Sequence, residues 1–185
     1  MSPASSHPCA LPLRAGIGLK PDHYRGLLDS GDTDTWIEVH PENYMVDGGP
    51  RLNWLEILRS ERSLSFHGVG ASLGGLDPLD ADHAGRLRHL IDRYQPEQVS
   101  EHAAWCAHAG TYFSDLLPLP RTREAMDNLV NQIDAFQNAI GRSILIENPT
   151  NYLPFASEMD EPDFLVEASK RAGCDHRRKL GACDR

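Results

Sequence analysis

Ser63-Leu64-Ser65-Phe66-His67 runs into Gly68-Val69-Gly70-Ala71-Ser72-Leu73-Gly74-Gly75, and then into a helical pattern over about Asp80–Tyr94 with Leu87, Leu90 and Ile91 on one side. A short apolar run with a polar tip, a loop and an amphipathic helix make one β/α unit. The unit recurs on both sides. Upstream, Ala15-Gly16-Ile17-Gly18-Leu19 leads to a helix opened by Pro21 and Asp22, and Thr35-Trp36-Ile37-Glu38-Val39-His40 leads through Gly48-Gly49-Pro50 to a helix carrying Leu52, Leu55, Ile57 and Leu58. Downstream, Gln98-Val99-Ser100-Glu101-His102 is followed by a long connection through Pro118 and Pro120. A helix over about Arg123–Ile140 comes next, with Met126, Leu129, Val130, Ile133 and Phe136 at helical spacing and Gly141 as its stop. Ser143-Ile144-Leu145-Ile146-Glu147-Asn148 then precedes a last helix at about Glu161–Ala172, closed by Gly173.

No run closes on a hairpin turn, so the rhythm predicts a parallel sheet, either an α/β barrel or a doubly wound sheet. The strand tips decide between them. His40, His67, Glu101 with His102, and Glu147 with Asn148 all fall at C-terminal ends of runs, where a (β/α)8 barrel carries its chemistry. A full barrel needs about 250 residues, so the five units here predict a partial barrel, roughly five-eighths of the circle.

The 185 residues suit one soluble globular domain, and 18 Lys+Arg against 27 Asp+Glu leave a formal charge of −9, which argues against nucleic acid as partner. No apolar run approaches the roughly 18 residues that span a bilayer, and Met1–Arg14 has neither a basic nor an apolar leader region, so the default compartment is the cytoplasm. Cys9, Cys106, Cys174 and Cys183 form no C-x-x-C pair, which points to neither a zinc ribbon nor a disulfide scaffold. Composition breaks after Gly173-Cys174, where the architecture calls for a sixth apolar strand and the chain turns basic instead, through His176, Arg177, Arg178 and Lys179. The expected organisation is a disordered segment at 1–14, the N-terminal part of a barrel at 15–174, and a basic tail at 175–185 from a frameshift or truncation; an ordinary solvated tail is the alternative.

Imidazole and carboxylate together suit iron, zinc or manganese, and His67, His102 and Glu147 supply that set from three strands. They converge only if those strands are parallel neighbours with their tips on one rim; otherwise each is a satisfied polar residue at a strand end. Glu101 and Asn148 either orient an imidazole or a bound water, or bond loop amides. His40, Glu42 and Asn43 line a substrate cleft or shape a turn with Pro41. The loop at 68–75 has neither the Lys-Ser/Thr ending of a P-loop nor a dinucleotide spacing, and tight packing over the barrel rim is its expected role. Trp54 and Tyr94 are expected in the core, Trp105, Tyr112 and Phe113 in one wall of a pocket, and His23, His83 and His89 facing solvent. Cys106 has no evident activating base.

At Gly16-Ile17-Gly18-Leu19 with His23-Tyr24, Glu38-Val39-His40-Pro41-Glu42-Asn43-Tyr44, Ser65-Phe66-His67-Gly68-Val69-Gly70, Val99-Ser100-Glu101-His102, Asp115-Leu116-Leu117-Pro118-Leu119-Pro120 and Ile146-Glu147-Asn148-Pro149, the chain resembles the multinuclear non-haem iron-dependent oxidative enzymes (MNIO), a MbnB-like family formerly catalogued as a domain of unknown function. The resemblance covers residues 15–174. It implies a xylose-isomerase-like barrel holding two or three iron ions, with O2 as co-substrate. It also implies oxidation of cysteine in ribosomally made precursor peptides, and a separate partner protein that presents the peptide. His67, His102 and Glu147 match iron ligands of the family. The family's further ligands, on later strands, are not matched here, and the family's next strand begins where Gly173-Cys174 gives way to the basic stretch. The resemblance therefore implies an inactive N-terminal fragment of an oxidase. Two other readings stand beside it: a zinc- or manganese-dependent barrel isomerase or phosphodiesterase, and a non-catalytic remnant that persists by pairing its open sheet edge.

Overall fold

The structure is a computed structural model and describes residues 14–150, 153, 155 and 157–177. The expected disordered segment therefore lies outside the described residues apart from Arg14, as does the tail beyond Arg177. Strands and helices alternate in the order β1 (Gly16–Gly18), α1 (Tyr24–Asp29), β2 (Trp36–Val39), α2 (Pro50–Arg59), β3 (Leu64–His67), α3 (Ala81–Tyr94), β4 (Gln98–His102), β5 (Trp105–His108), β6 (Thr111–Leu117), α4 (Arg123–Ile140), β7 (Leu145–Glu147), α5 (Glu161–Ala172) and β8 (Asp175–Arg177). Short 3-10 turns at Pro21–His23 and Pro41–Tyr44 follow the first two strands.

Six strands form one sheet in the order β1-β2-β3-β4-β7-β8, and every pairing in it is parallel. Each strand lies beside the previous member of the sheet. A doubly wound sheet reverses its order at a switch point, whereas an unbroken sequential order is the arc of a (β/α)8 barrel. Five β/α units and a sixth strand are present, so the partial barrel expected from the strand tips is the observed architecture.

Strand alternation sorts the side chains. Ile37, Val39, Leu64, Phe66, Val99 and Ile146 face the helices and are at most 3% exposed. They meet Leu55 and Leu58 of α2, Leu87 of α3, and Leu129, Ile133 and Phe136 of α4 in one continuous core. Full burial of each such side chain is worth about 1.5–3 kcal/mol. The other phase carries Glu38, Ser65, His67, Ser100, His102 and Glu147, which are polar and line the concave side. Ser65 donates to Glu38 at 3.0 Å there. Asp80 caps α3 by accepting from the amides of Asp82 and His83, and Thr122 caps α4 by accepting from Ala125.

Two features depart from the sequence reading. The long connection after β4 contains an antiparallel hairpin, β5–β6, whose two-residue turn at Ala109 (φ 49°) and Gly110 (φ 76°) joins the paired His108 and Thr111. Positive φ at both central positions matches the right-handed twist of the strands. Ala-Gly is a weak turn signal, and Thr111–Leu117 shows no clean alternation of burial, so the hairpin was hidden. The second correction concerns the boundary at 174/175. Asp175–Arg177 form strand β8, in parallel register with Leu145–Glu147. Backbone hydrogen bonding suffices to hold three residues in place without apolar side chains, which composition alone does not reveal.

Candidate metal centre

Register brings the tips of β3, β4 and β7 together. His67 pairs with Ser100, two residues before His102, and His102 pairs directly with Glu147. One ligand atom from each of His67, His102 and Glu147 lies within 4.8 Å of the others, and all three residues are buried. The His67 and His102 rings are 4.6 Å apart, and His67 Nε2 stands 3.9 Å from Glu147 Oε2. Two donors that share an ion at about 2.1 Å each are separated by about 4 Å at most, a spacing that His67 Nε2 and Glu147 Oε2 meet and that the 4.8 Å bound on the other pairs approaches. His67 Nδ1 is hydrogen-bonded to Ser100 Oγ at 2.8 Å, which turns Nε2 toward Glu147. The donor set, two imidazoles and a carboxylate, fits a borderline transition metal such as iron, manganese or zinc.

His40 stands on the rim beside this cluster. Its Nδ1 bonds the carbonyl of His67 at 2.8 Å, and the two rings are 5.7 Å apart. Asn148 lines a separate small cleft with Pro118, Arg121 and Phe164. Asn43 is exposed, and it is its backbone carbonyl that accepts from Arg51.

Glu42 and Glu101 belong to a second cluster. Glu101 is on the helix-facing phase of β4, where Val99 and the paired Ile146 are apolar, and it is 2% exposed. Its Oε1 accepts from the amide of His102 and its Oε2 from that of Ala71. Glu42 Oε1 accepts from Val69 and Gly70 at 2.8 and 3.0 Å. The glycine-rich loop thus turns its amides toward anions that the protein itself supplies. A Cβ at Gly68 would lie 2.5 Å from Glu101 Oε2, and one at Gly70 2.9 Å from the His83 ring, so glycine is what lets the backbone approach so closely. Burial, and then the charge of Glu42 beside it, push Glu101 up to about 8 against the pull of its amide donors.

His83 completes this cluster, 3.9 Å from Glu42 Oε1. The expectation that it faces solvent is overturned: from the capped first turn of α3 its ring reaches the glycine-rich loop and Glu42. The sequence signal was Glu101 itself, a carboxylate in an apolar phase. Trp105 packs edge-on against Phe113 at 5.8 Å and lines a groove with Leu76 and Leu119, whereas Tyr112 lines a different cavity with Ser72 and Asp77, so two of the three expected aromatic residues come together and Tyr112 does not join them. Tyr94 is core, packed edge-on against Phe66, and Trp54 stacks on Tyr24 at the core's margin. Cys106 is 1% exposed and burial raises its thiol pKa, which agrees with an unactivated cysteine.

A protein-family profile described as "RiPP precursor modification enzyme MbnB/TglH/ChrH" matches residues 14–176. The chain belongs to this family. It is 52% identical over 161 residues to a UPF0276 protein of Caulobacter sp. (strain K31), covering 86% of this chain and 58% of that protein. A UPF0276 protein of Bordetella pertussis (strain Tohama I) is 48% identical over 165 residues, covering 89% of this chain and 57% of that one. The chain therefore spans somewhat more than half the length of these relatives. Among solved structures, D-psicose 3-epimerase, crystallised in the presence of D-fructose, superposes with a TM-score of 0.55 at 13% identity, over 90% of this chain and 59% of that chain. At that identity the likeness establishes the shared barrel fold and nothing about substrate. The family's description is of enzymes that modify precursor peptides. No helix among the described residues is long and apolar enough to cross a membrane.

Proposed function

We infer that the chain is part of an iron-dependent oxidative enzyme that modifies cysteine in a ribosomally made precursor peptide with O2. The observation that carries this reading is the convergence of His67, His102 and Glu147 at one end of the sheet in a member of a peptide-modifying family. Iron held there would supply the redox capacity for the oxidation and an open position for co-substrate.

The chain's own residues prepare that position. Ser100 fixes the His67 ring through Nδ1, so that Nε2 is the nitrogen turned to the cluster. Glu147 contributes charge at the point where two neutral imidazoles alone would bind a cation weakly. His40 anchors the end of β3 and borders the mouth by which a peptide cysteine arrives. A separate protein that presents the peptide belongs to this reading.

With the three ligands that the described residues bring to this rim, the chain is expected to hold iron weakly and not to turn over, because charge and geometry both depend on the number of ligands. The test is anaerobic loading with Fe2+ followed by O2 and a cysteine-bearing precursor peptide, for this chain and for the longer Caulobacter relative. The reading predicts an iron-dependent mass change at cysteine with the relative and none with this chain. A relative that holds zinc alone and leaves the peptide unchanged contradicts it, and turnover by this chain contradicts its inactivity.

A further inference from the structure

The second cluster, described above as a set of hydrogen bonds, has a balance of charge that those bonds do not complete. Glu42 and Glu101 are two carboxylates whose oxygens approach one another and a His83 nitrogen within 4.8 Å. His83 is the one basic side chain paired with either of them among the described residues. Amide donors occupy Glu42 Oε1 and both oxygens of Glu101. That leaves Glu42 Oε2 and His83 Nε2, both shielded from solvent and both without a hydrogen-bond partner. Burying such atoms unpaired is costly, and a native structure meets that cost by placing something between them.

We propose that Glu42, His83 and Glu101 form a second divalent-cation site, separate from His67, His102 and Glu147 and on the opposite, helix-facing side of β4. Adjacent residues of a strand point to opposite faces, which puts Glu101 and His102 in different sites although they are neighbours in sequence. One imidazole nitrogen and two carboxylates select a borderline ion, Zn2+, Mn2+ or Fe2+, over Mg2+ or Ca2+, which favour an all-oxygen shell. A dication also neutralises both carboxylates at once. The three ligands come from the turn after β2, the first turn of α3 and the tip of β4, and the loop at 68–71 wraps them. The ion's role is to tie these four segments together behind the catalytic face.

The test is ion counting on the full chain after loading with Co2+ or Zn2+ and desalting, paired with thermal melts. Relative to wild type, His83→Ala and Glu42→Gln should each lose one equivalent of bound ion and the metal-induced rise in melting temperature. His67→Ala/His102→Ala should keep both the equivalent that those variants lose and the rise. Glu42→Gln preserves side-chain size and the acceptor for Val69 and Gly70, so it carries the test if His83→Ala fails to fold. The proposal is overturned if both single variants retain wild-type stoichiometry and melting shift, or if every ion disappears with His67→Ala/His102→Ala. In the latter case a shared proton, not a metal, joins the two carboxylates. If His67→Ala/His102→Ala changes nothing, even in Co2+ binding measured before desalting, the function proposed above fails and this site stands.

Discussion

Gly68 and Gly70 carry more of the architecture than their lack of side chain suggests, because the backbone at these positions is pressed against Glu101 and His83. Gly68→Ala puts a methyl group 2.5 Å from one oxygen of a carboxylate that amides already hold through both its oxygens, and is expected to cost about 1–3 kcal/mol in urea unfolding. Gly85 is the control. It sits at an exposed position of α3 with nothing within 4 Å of an added Cβ, so Gly85→Ala should stabilise by about 0.5–1 kcal/mol. Cysteine chemistry makes a second residue-scale prediction. Burial pushes the Cys174 thiol up to about 11. Since only the thiolate reacts, its alkylation in the native chain should climb about tenfold per pH unit from pH 8 to 10, whereas in urea the rise levels off near pH 9. Mass spectrometry of iodoacetamide adducts at each pH checks this, and a native profile that levels off at the same pH as the unfolded one contradicts it.

At the scale of elements, α3 connects the core to the second cluster. Its Leu87 faces the sheet, while its first turn brings His83 to Glu42. Asp80 holds that turn with two amide bonds, so Asp80→Ala should cost about 1 kcal/mol in thermal or urea unfolding. An unchanged stability would show that packing alone fixes the turn. The same element shows what sequence reading reaches. Leu87, Leu90 and Ile91 announce the helix and its buried face through their spacing, but nothing in that spacing says that His83 meets a loop from another unit. Periodicity reports which side faces the core, and contacts between loops depend on registers set far away in the chain. For the same reason His67, His102 and Glu147 were legible, being tips of regular strands, whereas the partnership of Glu42 with Glu101 was not. The β5–β6 hairpin and β8 escaped because backbone pairing, with little apolar alternation, makes them.

Over the whole molecule, the sheet is an arc with β1 at one edge and β8 at the other, and among the described residues each of these strands has a single neighbour. Parallel sheets are ordinarily covered or closed, since an open edge invites pairing with another chain. The 20.6 kDa chain is accordingly expected to elute from size-exclusion chromatography as an oligomer, and a sharp monomer peak would contradict this. The arc also explains why the fold was readable. Sequential strand order lets each β/α unit be recognised locally, and the global shape follows from repeating it. The proposed chemistry depends on the same repetition, which brings three strand tips to one rim.

The most direct test of that convergence is a Co2+ titration followed by visible absorption, carried out in a His83→Ala background so that only the strand-tip cluster reports. The account predicts ligand-field bands with saturable binding, weakened roughly tenfold or more by His102→Ala and likewise by Glu147→Gln. Identical titration curves for the background chain and for both added substitutions would show that these side chains do not hold a metal together.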